Sequence, residues 1–253
     1  MIKAIMHGCN GHMGQTICAM TEKDENITIV AGIDSFTGRT NPFPVFATLS
    51  ECDIEADVVI DFSNAKAVNG LMDECARRQL ALVLCTTGLD DEQLHKITET
   101  AEKTAVLHSA NMSLGINTLM DLLKKATAVF ADAGFDIEIV EKHHNQKLDA
   151  PSGTAIALAD AINDAHGNDY EYIYDRSDRR EKRAAKELGI SAVRGGNIVG
   201  EHEVFFCGED EVISFKHTAT SKGVFGKGAI EAAKFLAGKP AGLYDMSDVI
   251  AAK

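Results

Sequence analysis

The chain has 253 residues, with 38 Asp and Glu against 25 Lys and Arg, for a formal net charge of −13. That charge argues against nucleic acid and anionic membrane surfaces as partners, and no apolar run approaches the ~20 residues a membrane helix needs. The six cysteines, Cys9, Cys18, Cys52, Cys75, Cys85 and Cys207, form no C-x-x-C pair. With no leader-like opening segment, a cytoplasmic protein with reduced thiols and no metal site is expected.

Met1 to His7 reads as a short buried strand that runs straight into Gly8-Cys9-Asn10-Gly11-His12-Met13-Gly14, after which Ile17 and Met20 suggest a helix. Strand, glycine turn and helix in that order suit a dinucleotide. Gly8 allows the tight turn, Gly11 lets backbone approach a pyrophosphate, and Gly14 lets the helix pack closely on the strand. The spacing is G-x-x-G-x-x-G, with Asn10 where the strict pattern has its second glycine. The next apolar run, Ile27 to Ile33, ends in Asp34, about 20 residues beyond the glycines, where a carboxylate accepts hydrogen bonds from ribose hydroxyls. That carboxylate repels a 2′-phosphate, and Ser35 rather than arginine follows it. NADH is therefore expected in preference to NADPH. Thr37 to Pro44 reads as an irregular excursion from the nucleotide fold.

Strand patterns at Val58 to Phe62, Leu80 to Cys85 and Ala105 to His108 alternate with helical patterns at Ala65 to Arg78, Asp90 to Lys103 and Gly115 to Ala131. This alternation predicts an α/β fold, a Rossmann-type doubly wound parallel sheet with helices on both faces. Ligands of such sheets lie beyond the carboxyl ends of the strands. The turns Asp61-Phe62-Ser63, Cys85-Thr86-Thr87-Gly88 and Ser109-Ala110-Asn111-Met112 are accordingly expected to line the cofactor cleft. Past Ala131 come longer alternating segments, Ile198 to Cys207 and Glu211 to Ala219, which read as an antiparallel pair. They predict a second, α+β domain with a mixed or antiparallel sheet. The cluster Arg176 to Arg183 reads as a solvated loop or an intersubunit contact. A last helix spans Phe225 to Leu236, closed by Gly238-Lys239-Pro240 and followed by an acidic tail, Asp245 to Val249.

The most specific stretch is Glu141-Lys142-His143-His144-Asn145-Gln146-Lys147-Leu148-Asp149-Ala150-Pro151-Ser152-Gly153-Thr154. Phe135 to Val140 before it alternates as a half-buried strand does; after it, Ala155, Ile156, Leu158, Ala159 and Ile162 recur at helical spacing. Ser152 stands at the N-cap position and Gly153 bares the first turn, so unpaired N–H groups and the positive end of the helix dipole await an anion. Lys147 and one histidine reach the same space from the strand side. They supply a charge partner and a group that exchanges protons near neutral pH.

Together these motifs resemble the dihydrodipicolinate reductase family along nearly the whole chain. The resemblance rests on G-x-x-G-x-M-G at Gly8 to Gly14, T-T-G at Thr86 to Gly88, A-N-M-S at Ala110 to Ser113, and E-x-H-H-x-x-K-x-D-A-P-S-G-T at Glu141 to Thr154. Gly200-Glu201-His202 and Gly242 to Met246 fit as well. It implies hydride transfer from NADH or NADPH to a cyclic imine dicarboxylate of lysine and diaminopimelate synthesis, giving tetrahydrodipicolinate. By the same resemblance His143 is the proton donor or acceptor, Lys147 is the second donor, and His144, Gly153 and Thr154 hold substrate, with Ser152 counted beside them. Cofactor contacts are implied at Gly8, Cys9, Asn10, Gly11, His12, Met13, Asp34, Cys85, Thr86, Thr87, Ser109, Ala110, Asn111 and Met112. The departures are Gln146 for a basic residue, Cys85 for the glycine before T-T-G, and Ser35 where arginine would read a 2′-phosphate. In the family the C-terminal segment returns to the nucleotide domain, which implies 1–113 with 224–253 as that domain and 114–223 as the substrate and oligomer domain of a homotetramer. A hinge near Ser113 and Gly223 is expected. Other readings are a different two-domain NAD-dependent amino-acid or semialdehyde dehydrogenase, which calls for a positioned cysteine, and a non-catalytic NADH sensor, which has no need of His143 or Lys147.

Overall fold

The computed structural model describes residues 1–36 and 38–253. The chain divides into two compact units, Met1–Leu114 with Gly223–Lys253, and Gly115–Lys222. In the first, strands numbered along the chain are β1 (Ile2–His7), β2 (Ile27–Ile33), β3 (Val45–Phe46), β4 (Val58–Asp61), β5 (Ala81–Leu84), β6 (Ala105–His108) and β12 (Gly242–Tyr244). They form one parallel sheet in the order β12-β6-β5-β4-β1-β2-β3. Parallel sheets are covered on both faces, which is why β4 and β5 are apolar almost throughout and buried at every position.

Helices α1 (His12–Thr21), α6 (Gly223–Leu236) and α7 (Met246–Ala251) bury Ile17, Ala229, Ala233 and Val249 against Ala4, Met6, Ile60 and Val83 on one face. Helices α2 (Ala65–Arg78) and α3 (Asp91–Ala101) bury Val68, Met72 and Ile97 against Ile5, Val59 and Leu82 on the other. Each fully buried large side chain contributes about 1.5–3 kcal/mol. Asn64 caps α2 by accepting from the Lys66 N–H, and Asp90 with Gln93 forms a capping box on α3. The end of the chain differs from the expected acidic tail. Leu243 and its neighbours extend the sheet as β12, and Asp245 starts α7 by accepting from the Ser247 and Asp248 N–H groups. Those acidic residues are cap residues. Of the loop expected from Thr37 to Pro44, Thr37 lies outside the described residues, and 38–44 hold neither helix nor strand.

The second unit holds α4 (Leu114–Phe130, its first residue counted in the other unit), β7 (Asp136–His143), α5 (Gly153–Ala165), β8 (Glu171–Ile173), β9 (Glu187–Arg194), β10 (Gly200–Cys207) and β11 (Val212–Ala219). Its sheet is mixed, in the order β11-β10-β7-β9-β8, with β10 antiparallel to β7 and β11 and with β7, β8 and β9 parallel. Leu123, Leu158 and Ile162 of α4 and α5 cover Ile137, Ile139, Leu188 and Val204. Strand β7 runs three residues past the predicted Val140, because Lys142 pairs with Glu201 and His143 with Arg194, partners 50 to 60 residues away. The strands past Glu187 pair within the chain.

The cluster Arg176 to Arg183 is a largely exposed loop whose arginines Arg176, Arg179 and Arg183 are held by carboxylates of the sheet. Arg176 reaches Glu187 at 2.6 Å and Glu138 at 3.1 Å, Arg179 reaches Glu187 at 3.1 Å, and Arg183 reaches Asp136 at 2.7 Å and Glu138 at 3.0 Å. These arginines strap the loop to β7 and β9, whose carboxylates would otherwise repel one another.

Candidate active site

The glycine turn of the first unit is built as a cradle. Gly8 has φ +81°, and a Cβ on it would lie 2.5 Å from the Phe62 carbonyl oxygen. A Cβ on Gly14 would lie 2.2 Å from the Gly8 oxygen, so helix and turn approach as closely as backbone allows. Gly11 and His12 are exposed and Met13 is half-buried at the start of α1. Asn10 is tied on three sides: its N–H donates to Asp34 Oδ2 at 2.9 Å, its side-chain amide donates to the Phe36 carbonyl, and its Oδ1 accepts from Asn41. Asp34 Oδ1 accepts the Phe36 N–H at 2.9 Å, which fixes the carboxylate beside the turn.

Beyond the carboxyl ends of β5 and β6 lies a cleft of about 240 Å³, lined by Cys85, Thr86, Thr87, Gly88, Ser109 and Ala110, with His108 and Leu94 at its walls. Two of the three predicted turns therefore share one cavity. The cradle and this cleft fit a dinucleotide. Several side chains in those stretches face the core instead: Cys9 is 0 % exposed, Thr86 and Met112 are 5 % exposed and Asn111 is 7 % exposed. What Cys9 and Met112 offer a nucleotide is main chain. Burial pushes the Cys9 thiol up to about 12 and the Cys85 thiol well above its usual range, so neither is a ready nucleophile.

Asp61 of the first predicted turn is part of a polar cluster beneath the turns, together with His7, to which the sequence reading gives no role. Asp61 is wholly buried and accepts from His7 Nδ1 at 2.6 Å, Ser63 Oγ at 2.6 Å and Thr86 Oγ1 at 2.5 Å. It ties the ends of β1, β4 and β5 together beneath the T-T-G turn. His7 and Asp61 are register partners, a relation between distant strands that neither segment announces alone.

In the second unit the organising group is Glu141, also wholly buried. Arg194 grips it with two bonds of 2.8 and 2.7 Å, His143 Nδ1 donates to it at 2.6 Å, and the Ser152 N–H donates at 3.0 Å. Burial pushes the Glu141 carboxyl up, but those three partners outweigh burial and hold it below the usual range. With Nδ1 bound to a carboxylate, His143 presents Nε2. Burial, opposed by Glu141, lowers His143 from its ordinary value, so the ring is neutral at neutral pH. His202 packs edge-on against it at 5.1 Å between centroids and is pushed down to about 4 by burial.

The predicted residues sit around this pair in different states. Ser152 caps α5 by accepting the Ala155 N–H at 3.2 Å and meets His202 Nε2 at 3.1 Å, and it is 1 % exposed. Its N–H and Oγ are engaged by Glu141, Ala155 and His202, which holds the helix start in place. Gly153 is exposed, and a Cβ there would meet nothing within 4 Å, so the helix start is open. His144 and Thr154 are half-buried, and the Lys147 ammonium lies 2.9 Å from Asp149. Glu141 stands two residues before His143 on one strand face, a spacing visible in the sequence. Arg194 gave no local signal. Among the described residues no cluster of His, Cys, Asp and Glu is arranged to hold a metal, and no helix is long and apolar enough to cross a membrane.

A parallel sheet carrying a glycine cradle, with a carboxylate-bound histidine and a lysine on a second unit, defines an oxidoreductase that uses a nicotinamide nucleotide. The family model for the dihydrodipicolinate reductase N-terminus matches residues 2–112, and that for its C-terminus matches residues 115–250. The chain belongs to the dihydrodipicolinate reductase family. It is 50% identical over 250 residues to the 4-hydroxy-tetrahydrodipicolinate reductase of Caldanaerobacter subterraneus subsp. tengcongensis, covering 99% of this chain and 98% of that one. It is 48% identical to the reductase of the same name from Clostridium novyi, over the whole of both chains. A solved dihydrodipicolinate reductase from Paenisporosarcina sp. TG-14, with dipicolinate bound, superposes with a TM-score of 0.81 at 26% identity over 97% of each chain.

Proposed function

We propose that this chain reduces 4-hydroxy-tetrahydrodipicolinate to tetrahydrodipicolinate with NADH or NADPH, a step of lysine and diaminopimelate synthesis. The observation that carries the reading is the buried Arg194–Glu141–His143 array beside Lys147 and the open start of α5, in a chain matched end to end by the reductase family. The nucleotide supplies hydride; everything else falls to the protein. Replacing the ring hydroxyl by hydride releases the hydroxyl as water, so each turnover consumes one proton. Two groups are suited to give it. Lys147 is a standing cation. His143 is neutral when the site is empty, and a bound dicarboxylate raises its proton affinity so that Nε2 takes and returns the proton while Glu141 holds Nδ1–H. The Gly153 and Thr154 N–H groups at the α5 start, with Lys147, receive one substrate carboxylate, and His144 lies beside them.

In the nucleotide unit the turn Gly8 to Met13 cradles the pyrophosphate, and Asp34 takes the adenosine ribose. The turns Cys85 to Thr87 and Ser109 to Met112 line the nicotinamide side. We place NADH ahead of NADPH, because Asp34 is fixed by two backbone N–H groups and cannot easily turn away from a 2′-phosphate. Steady-state turnover of enzymatically generated hydroxy-tetrahydrodipicolinate, with NADH and NADPH in parallel, tests both points. Turnover with a higher kcat/KM for NADH is expected. No turnover with either nucleotide overturns the activity, and a strong NADPH preference overturns the role given to Asp34.

A further inference from the structure

The place assigned to a substrate carboxylate already has a carboxylate in it. Asp149 Oδ1 lies 2.9 Å from the Lys147 ammonium. That ammonium first, and the Asp149 and Gly153 backbone N–H groups after it, hold the Asp149 carboxyl below its usual range. So one side chain already meets the cation that the proposed function gives to the ligand. The main chain on either side is tied separately. The Lys147 N–H donates to the His144 carbonyl at 3.2 Å, and the Asp149 carbonyl accepts from Arg194 at 2.6 Å. Between those ties the segment is open, with Leu148 99% exposed and the Asp149 side chain 57% exposed. A rotation of the Asp149 side chain therefore delivers its carboxylate to water without moving the backbone or burying a charge.

We infer that Asp149 is a built-in competitor for the carboxylate of the substrate: it pairs with Lys147, and binding exchanges it for a carboxylate of the ligand. Asp149 acts through Lys147, so it is a positioning residue. It spares Lys147 an unpaired charge and screens it against stray monoanions, because an incoming anion must displace a tethered one. The inference rests on the reading of Lys147 and the α5 start as the carboxylate site.

Calorimetric titration with pyridine-2,6-dicarboxylate, at saturating reduced nucleotide, separates the two. Asp149→Asn and Asp149→Ser should bind the dicarboxylate about threefold to fivefold more tightly than wild type, the range of a part-exposed ion pair. Asp149→Glu, which keeps the charge, should return toward wild type. Lys147→Ala should weaken binding about tenfold or more, and in that background Asp149→Asn should have no further effect, since the group it competes for is gone. Equal or weaker binding by both uncharged Asp149 variants, with Lys147→Ala still weakened, overturns the competitor role and leaves the site reading standing. Unchanged binding by Lys147→Ala overturns both. Circular dichroism of each variant verifies folding, and either uncharged variant alone suffices.

Discussion

Glu141 decides what His143 is able to do. A buried carboxylate paired to Arg194 fixes the imidazole by Nδ1, and Nε2 is left for chemistry. His143→Ala and Lys147→Ala should each lower kcat by about 10²-fold or more while NADH affinity stays near wild type; stopped-flow turnover and fluorescence titration measure the two. Wild-type turnover in both variants removes the proton-transfer roles. Lys147 and a histidine pair stand together in one short segment of the sequence, and it is the family resemblance that singles out His143. The sequence could not show the Arg194 grip, which depends on strand register across 53 residues. A second residue-scale consequence concerns pH. His202 titrates near 4 in the folded protein, driven down by burial, against about 6.5 in an unfolded chain. Between those values the unfolded chain binds a proton that the folded one refuses, so stability falls as pH falls. By pH 5 the loss from His202 alone is about 2 kcal/mol. Urea unfolding at pH 7 and pH 5 should show at least that loss in the wild type and a smaller one in His202→Gln. A wild type equally stable at both values refutes the assignment.

At the scale of elements, the approach of α6 to the nucleotide turn is the feature sequence patterning missed. Phe225 to Leu236 reads as an ordinary amphipathic helix, and nothing local says what it packs on. In the structure Gly228 faces the Met112 carbonyl so closely that a Cβ would lie 1.6 Å from the oxygen. Backbone meets backbone there, and no side chain is free to yield. Gly228→Ala must shift α6 or the Ser109 to Met112 turn, at a cost of about 1–3 kcal/mol as an overpacking change. With that turn on the nicotinamide side, as proposed, thermal unfolding and NADH titration should both move, with lower stability and weaker binding together. A loss of stability with unchanged NADH binding would separate the turn from the cofactor. By contrast, the span of α2 and the start of α5 were legible, the latter because Ser152 caps it through a side chain that the sequence prints. Caps are local; helix partners are not.

At the scale of the whole molecule, the sheet of the second unit carries its helices on one face only. Helices α4 and α5 bury Ile137, Ile139 and Val204, while Val140 and Phe205 alternate onto the opposite face, where no helix of this unit lies. Lys142 and Lys216 both pair with Glu201 on that face, at 3.4 and 3.2 Å, and Val193 is 44% exposed beside them. Strands β7, β8 and β9 run parallel, and parallel strands are as a rule buried on both sides. A second copy of the chain presenting the same face would supply the cover, with apolar side chains at the centre and ion pairs toward the rim, as isologous contacts are built. Sedimentation equilibrium at micromolar protein should therefore give a multiple of the 27.2 kDa chain mass, with four copies expected from the family resemblance. Phe205→Asp, which sets a charge among those apolar side chains, should dissociate the assembly while circular dichroism keeps its native form. A wild type that sediments as a single chain would mean that this face is left to water, and the charged pairs around Glu201 would then be its solvent surface.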